Sequence, residues 1–393
     1  MRDDQLLLNP GPVPVSHTVT KAMDEPMVSR RSAAFGELYQ GISADFRDLI
    51  ADSAPGTGGS LAATTPVFMN GTATMAIEAV LSGLVSRDDT VLVVENGQFG
   101  QRIEAIANRY ASVEAVRGDP GSAVDRDAIE RTADRVDPGL IAVVHNETST
   151  GLANHIGPIG DVAADVGALL VVDGVSSIGG MEFRFEEWNV DAAITDPQKA
   201  LAAPPGISAI LLSDRARRAA DGAGGPFYQN LETHLEAAAE GRTPFTCAGP
   251  LFRGFAAALS AIHDEGMADR IERHRRFAAS VRAGITAMGL EPFPATGGLG
   301  SYSDTMTAVA LPAAVDEARF DAELDRRGVS VGGGLGPLEG DLFRVSNMGA
   351  LPPERLRGGL FDIGSALDAA GGDVDVCAGV QAFERRVRND TAD

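Results

Sequence analysis

Thr195-Asp196-Pro197-Gln198-Lys199-Ala200, with Ala203-Pro204-Pro205-Gly206 just beyond it, keeps a lysine in a chain that has almost none. Lys199 and Lys21 are the only two lysines in 393 residues. Lys199 follows an apolar strand expected over Val190 to Ile194 and precedes a Pro-Pro-Gly bend. Arg cannot stand in for it where an imine must form, because a guanidinium stays protonated. A desolvated Lys can lose its proton and attack a carbonyl. Position and scarcity therefore point to a Schiff-base lysine for pyridoxal phosphate, against the commoner fate of a lysine on a solvated surface.

Composition narrows the class. At this length two domains are the expectation. The net charge of −22, from 55 acids against 33 Lys and Arg, argues against nucleic acid or an anionic membrane as partner. Sparse Lys, abundant Asp and few aromatics suit a protein adapted to high salt, where screening weakens carboxylate repulsion. The plainer alternative is an acidic soluble enzyme. Cys247 and Cys377 make no disulfide framework, which fits a reducing cytoplasm. No apolar run has the length of a membrane span, and Met1-Arg2-Asp3-Asp4 does not open a signal peptide.

Leu6 to Pro14 is an extended, proline-rich arm. A short helix is expected over Ser16 to Met23 and a longer one over Ala34 to Ala51. Between them, Arg30 and Arg31 suit either an anion or a solvated turn. From Gly56 strands and helices alternate. Strand Thr64 to Met69 turns at Asn70-Gly71-Thr72-Ala73-Thr74 into a helix, where small residues let N–H groups and hydroxyls close on a phosphate. It is not a dinucleotide fingerprint. Strand Thr90 to Val94 leads to Phe99, expected in a loop before a helix starting at Gln101, where a ring suits stacking on a flat cofactor. Strand Leu140 to Val144 stops at the polar run His145 to Gly151, where open α/β sheets bind ligands. Strand Ala168 to Val172 ends in Asp173, an acid that is costly there unless paired. A pyridinium N–H⁺ is such a partner; a helix cap or a metal ligand is the alternative. The six histidines are scattered, and no metal-ligand spacing occurs. One long helix is expected from about Leu251 to Met288, linking the domains. Beyond it come a strand at Met306 to Leu311, a helix from Ala313 to Arg327, a glycine-rich loop leading to Arg344, a helix from Pro352 to Ala370 and a frayed tail.

In order and spacing these pieces resemble the class V pyridoxal-phosphate aminotransferases of fold type I, especially the alanine– and serine–glyoxylate aminotransferases. The matching motifs are Asn9-Pro10-Gly11-Pro12, Asn70 to Thr74, Asn96 to Gly100, His145 to Gly151, Asp173 to Ser177, Gln198-Lys199 with the Pro-Pro-Gly bend, and Phe343-Arg344. The resemblance implies an α/β fold with a mostly parallel seven-stranded sheet and a smaller C-terminal α+β domain. The divisions are an arm over 1–15, a large cofactor-binding domain over 16–250, and a linking helix with the small domain over 251–393. It implies that Lys199 holds the cofactor and shuttles the α-proton, and that Asp173 pairs with the ring nitrogen. Phe99 and Val175 sandwich the ring. Thr72, Ala73 and Thr74 cradle the phosphate with Gln198 nearby, and Thr148 lies by the ring substituents. Arg344 grips the substrate carboxylate, with Gly11 and Arg30 also at the substrate. Thr246 reaches a neighbour's phosphate in a homodimer. Departures are Val345-Ser346-Asn347-Met348-Gly349 where relatives often have Ile-Gly-His-Met-Gly, Cys247 for a proline, and Arg30 for a His. The expected activity is transamination from alanine or serine to glyoxylate or pyruvate. Alternatives are 2-aminoethylphosphonate or a phosphorylated amino acid as donor, bound through Arg30 and Arg31, a lyase such as a cysteine desulfurase, and a non-enzymatic binding module.

Overall fold

The computed structural model describes residues 5–54 and 61–389. The Met1–Asp4 terminus, the Gly56 start of the alternation and residues 390–393 of the tail lie outside the described residues.

Seven strands form the main sheet, in the order Thr65–Asn70, Ile207–Leu212, Ala192–Thr195, Leu169–Asp173, Leu140–Val144, Thr90–Glu95 and Ser112–Arg117. Ile207–Leu212 runs antiparallel to both of its neighbours, and every other pair is parallel. The inner strands are buried along their length because helices cover both faces. Side chains alternate between two cores: Leu92, Val94, Ile141, Val143, Leu170 and Val172 face one, and Val91, Val93, Leu140, Ala142, Leu169 and Val171 the other. In the first core an aromatic cluster pins helices Ala33–Asp52 and Gly249–Glu265 to strand Thr65–Asn70. Its rings, from Phe35, Tyr39, Phe46, Phe68, Phe252 and Phe255, pack at centroid distances from 5.2 to 6.4 Å. Helices Ala73–Leu84 and Gln98–Ala107 cover the second.

A third core surrounds a three-stranded sheet of Met306–Ala310, Leu342–Ser346 and Gly332–Gly333. The arm joins it: Leu6–Leu7 pairs in parallel with Val329–Ser330, and Leu6 and Leu8 are buried there.

Three expectations change, and one stretch left without secondary structure gains it. The long linking helix is two helices, Gly249–Glu265 and Met267–Ala287, parted at Gly266 with φ +82°. A left-handed residue ends a helix readily only as glycine, and the second helix runs from the first core at Met267 to the third core from Phe277 onward. The tail is not frayed through Asn389: Val376–Asn389 is a helix that buries Phe383. Helix Gln98–Ala107 starts before Phe99, so Phe99 sits in its first turn and not in a loop. The polar run after Val144 is a hairpin, with Asn146–Glu147 paired to Leu152–Asn154.

Replacing Phe252 by Ala should lower stability by about 3–5 kcal/mol through the cavity left in the aromatic cluster. Replacing Phe361, 49% exposed, by Ala should cost no more than about 0.5 kcal/mol. Denaturant midpoints of the two variants check the contrast.

Candidate active site

The carboxyl ends of the parallel strands converge on one cavity of about 190 Å³. Asp173 is the last residue of its strand, and Lys199 lies in the loop after Ala192–Thr195. Thr72, Ala73, Thr74, Phe99, Thr148, Asp173, Val175, Gln198 and Lys199 all line the cavity. The acid and the amine, separated by 26 positions in sequence, therefore face the same space.

Burial sets their chemistry. It pushes the Lys199 amine down to about 8, helped by the nearby Arg344 cation. It pushes Asp173 up to about 7; the charges of Glu147 and Asp196 add to this, while the Val175 N–H, 3.0 Å from Oδ1, opposes it. An acid held so needs a cationic partner to stay ionised. The Lys199 amine donates to the Pro10 carbonyl of the arm. Gly11 beside it has φ +133°, and a Cβ there would lie 2.8 Å from Nζ. Only glycine fits.

Arg344 is buried in the third core's sheet. Its Nε donates to Gly333 O at 2.8 Å and its Nη1 to Thr148 O at 3.0 Å. Burial lowers its pKa to about 10, with Glu147 opposing. It does not line the cavity, although its charge acts on Lys199. Three other expected residues lie apart from the cavity lining: Gly11, in the arm beside the lysine amine, Thr246 and Arg30. Thr246 is exposed, and its carbonyl accepts from Asn70 Nδ2 at 2.8 Å. Arg30 donates to Thr243 O at 2.7 Å and so holds the same loop. His145 is not positioned as a base: its ring packs against Phe183 and Trp188, and burial takes it down to about 3. Among the described residues no group of three or more His, Cys, Asp or Glu is placed to hold a metal.

Four residues were not singled out from the sequence. Glu147 is buried; its Oε2 accepts from Phe99 N and Gly100 N, both at 3.1 Å, and its Oε1 from Ser149 N at 3.0 Å. It caps the Phe99 helix from a distant strand, since the N-cap itself is Gly97. A Cβ at Gly97 would meet Glu147 Cγ at 2.4 Å, which explains the glycine. Its signal was available: an acid just after a buried strand, as for Asp173. Arg102 places its guanidinium 4.9 Å from the Phe99 ring centroid and donates to Thr74 Oγ1 at 3.3 Å. Asn146 lines the cavity and donates to Ser176 Oγ and Thr305 Oγ1. Asp196 Oδ2 accepts from Ala73 N and from Gln198 Nε2, each at 2.7 Å.

These residues fit pyridoxal phosphate. The lining offers an acid for a ring nitrogen, an aromatic ring and a valine to flank a flat ring, and an amine of lowered basicity. A helix N-terminus in the same lining has a Thr72 hydroxyl that makes no capping bond. An amine and an acid across one cavity, at the carboxyl edge of this sheet, define a fold type I pyridoxal-phosphate enzyme. Residues 8–336 match the aminotransferase class-V family, and the chain belongs to that family. An uncharacterized aminotransferase of Methanocaldococcus jannaschii is 32% identical, covering 88% of both chains. An L-aspartate–glyoxylate aminotransferase of Paracoccus denitrificans is 30% identical over 98% of this chain and 96% of its own. The crystal structure of ureidoglycine–glyoxylate aminotransferase from Bacillus subtilis superposes with a TM-score of 0.89 at 28% identity, covering 99% of each chain. The protein is a pyridoxal-phosphate-dependent aminotransferase.

Glu147→Gln would turn an N–H donor toward the Phe99 and Ser149 amides, leaving buried groups unpaired at about 1–3 kcal/mol. Affinity for pyridoxal phosphate should fall by about tenfold, read by absorbance titration of cofactor-stripped protein, and the melting temperature should drop with it.

Proposed function

We propose that the enzyme moves the amino group of a small amino acid, alanine or serine, onto a small 2-oxo acid, glyoxylate or pyruvate. The observation that carries this is Lys199: a buried, cavity-facing amine of lowered basicity, opposite Asp173. When bound, pyridoxal phosphate supplies the carbonyl that takes up the amino group and a ring that accepts electrons. Asp173 would hold the ring nitrogen charged, and Phe99 and Val175 would flank the ring. Thr72, Ala73 and Thr74, with Gln198, would receive the phosphate, and Thr148 would sit near the ring substituents. Lys199 would carry the proton taken from the donor's α-carbon. Arg344, held rigid by two carbonyls, would offer its remaining edge to the substrate carboxylate, with Gly11 closing the space beside the amine.

The glyoxylate-directed names of the Paracoccus and Bacillus relatives support the acceptor class. A phosphonate or phosphorylated donor is less well supported, because Arg30 is engaged with Thr243 O outside the cavity lining. A thiolate lyase is disfavoured by Cys247, whose thiol burial pushes up.

A homodimer completes the proposal. Phe227, 85% exposed, clusters with Tyr228 and Phe245 next to Thr246, an aromatic patch suited to a second copy. On this assignment Thr246 and Arg30 belong to the interface and serve the partner's site. We read two units within each subunit, a large one over 16–250 and a smaller one reached through the helices of 251–393, whose packing passes from the first core at Met267 to the third at Phe277. Free Cys247 and Cys377 accord with a reducing cytoplasm, and the acid excess with a high-salt setting.

A panel of amino donors, scored by the spectral change of the half-reaction, should give the largest rates with alanine or serine. Lys199→Arg, which keeps the charge but not a titratable amine, should lose turnover by about 10³-fold or more. A variant retaining wild-type turnover would remove the proposed role. The pH dependence is a separate check. Only the neutral amine attacks an aldehyde, so capture of pyridoxal phosphate by stripped enzyme should accelerate as pH rises and level off above about 8. Rates that decline over this range would contradict it.

A further inference from the structure

The part of the cavity assigned to the cofactor's phosphate already holds a carboxyl group. Asp196 is buried in the cavity wall and lies across the N-terminus of helix Ala73–Leu84. Its Oδ2 takes the Ala73 N–H and the Gln198 side-chain amide, each at 2.7 Å. Its Oδ1 is buried with no partner among the described residues. Those two donors belong to the very residues that would receive a phosphate. A helix N-terminus stabilises one anion well. Two anions sharing its donors repel each other in a medium where screening is poor.

We propose that Asp196 is a built-in competitor for the phosphate cup, so that cofactor affinity depends on how readily its carboxylate yields Ala73 and Gln198, and weakens as pH rises. This rests on the assignment of the cavity to pyridoxal phosphate. When Asp196 is ionised it occupies the two donors and repels the phosphate. When it is neutral its O–H can donate to a phosphate oxygen, and the two groups share the cup. Burial raises its pKa above the usual carboxylate range; the Ala73 N–H, the Gln198 amide and the Ser208 hydroxyl oppose this, as does the Lys199 charge. The other charged groups lining the cavity are Asp173, at the end of the adjacent strand, and Arg102, which reaches the cup through Thr74. Glu147 and Arg344 act from just behind the lining. Arg102 is thus the cation available to offset a second anion.

The test uses the full-length protein and pyridoxamine phosphate, which carries the phosphate but forms no bond with Lys199. Equilibrium dialysis compares wild type with Asp196→Asn and Asp196→Ser between pH 6 and pH 9. Asp196→Asn keeps an acceptor for Ala73 and removes the charge. It should bind at least about tenfold tighter at pH 8, since juxtaposed like charges cost several kcal/mol and each tenfold is about 1.4 kcal/mol. The gap should narrow as pH falls and Asp196 takes up a proton, because only the wild type carries that titrating group. Pyridoxamine without phosphate should bind all three proteins alike. Asp196→Ser should match Asp196→Asn, and if it fails to fold the Asn variant and the wild-type pH series decide. Equal or weaker binding by Asp196→Asn overturns the competitor role and leaves the cofactor assignment standing. Failure of pyridoxamine phosphate to bind any of the three overturns that assignment and the competitor role with it.

Discussion

The desolvation of one amine among acids governs how the rest of the molecule is built. Lys199 cannot be taken out of water as a free cation without cost, and Asp173 and Asp196 cannot be buried as lone anions. Placed around one cavity, the amine and the acids moderate one another: burial lowers the lysine and raises the two acids, the lysine's charge and the acids' charges pull the opposite way, and among the three only the Asp196 charge on Asp173 adds to burial. The result is that Asp173 and Lys199 can exchange protons near neutrality, which is what amino-group transfer demands.

Holding that set requires elements from all three cores. The parallel sheet sets Asp173 and Lys199 at adjacent strand ends. The Gln98–Ala107 helix brings Phe99 over the cavity, and Glu147 fixes that helix by accepting its first N–H groups. From the third core Arg344 reaches across to Thr148 O, and the arm lays Pro10 O on the lysine amine. Each bridge is a hydrogen bond between a buried polar group and a carbonyl or amide, so loss of either partner strands the other. Glycine is required where these bridges crowd, at Gly11 against Lys199 and at Gly97 against Glu147.

Much of this could be read from the chain. The buried strands were legible because helices on both faces leave near-continuous apolar runs, and the acid and the amine because each is an expensive residue at the end of such a run. What escaped notice had a weaker local signal. Asp196 stood in the quoted stretch, yet nothing in the linear order says that its carboxylate would meet Ala73, 123 positions away. Gly266 sat inside an unbroken helical pattern, and the break shows only in the folded backbone, where its φ is +82°. The Phe99 helix began earlier than expected because its capping acid comes from a different strand.

Local chemistry, written in the order of residues, determined that this is an α/β chain with a reactive lysine, a paired acid and a small-residue turn before a helix. Those features follow from which side chains can be buried, charged or bent, and they need no knowledge of neighbours. Only the folded chain decided which groups share the cavity, how far their proton affinities move, and that the Asp196 carboxyl group sits at the helix N-terminus. These depend on distance and on exclusion of water, and both are properties of packed elements that sequence separation does not encode.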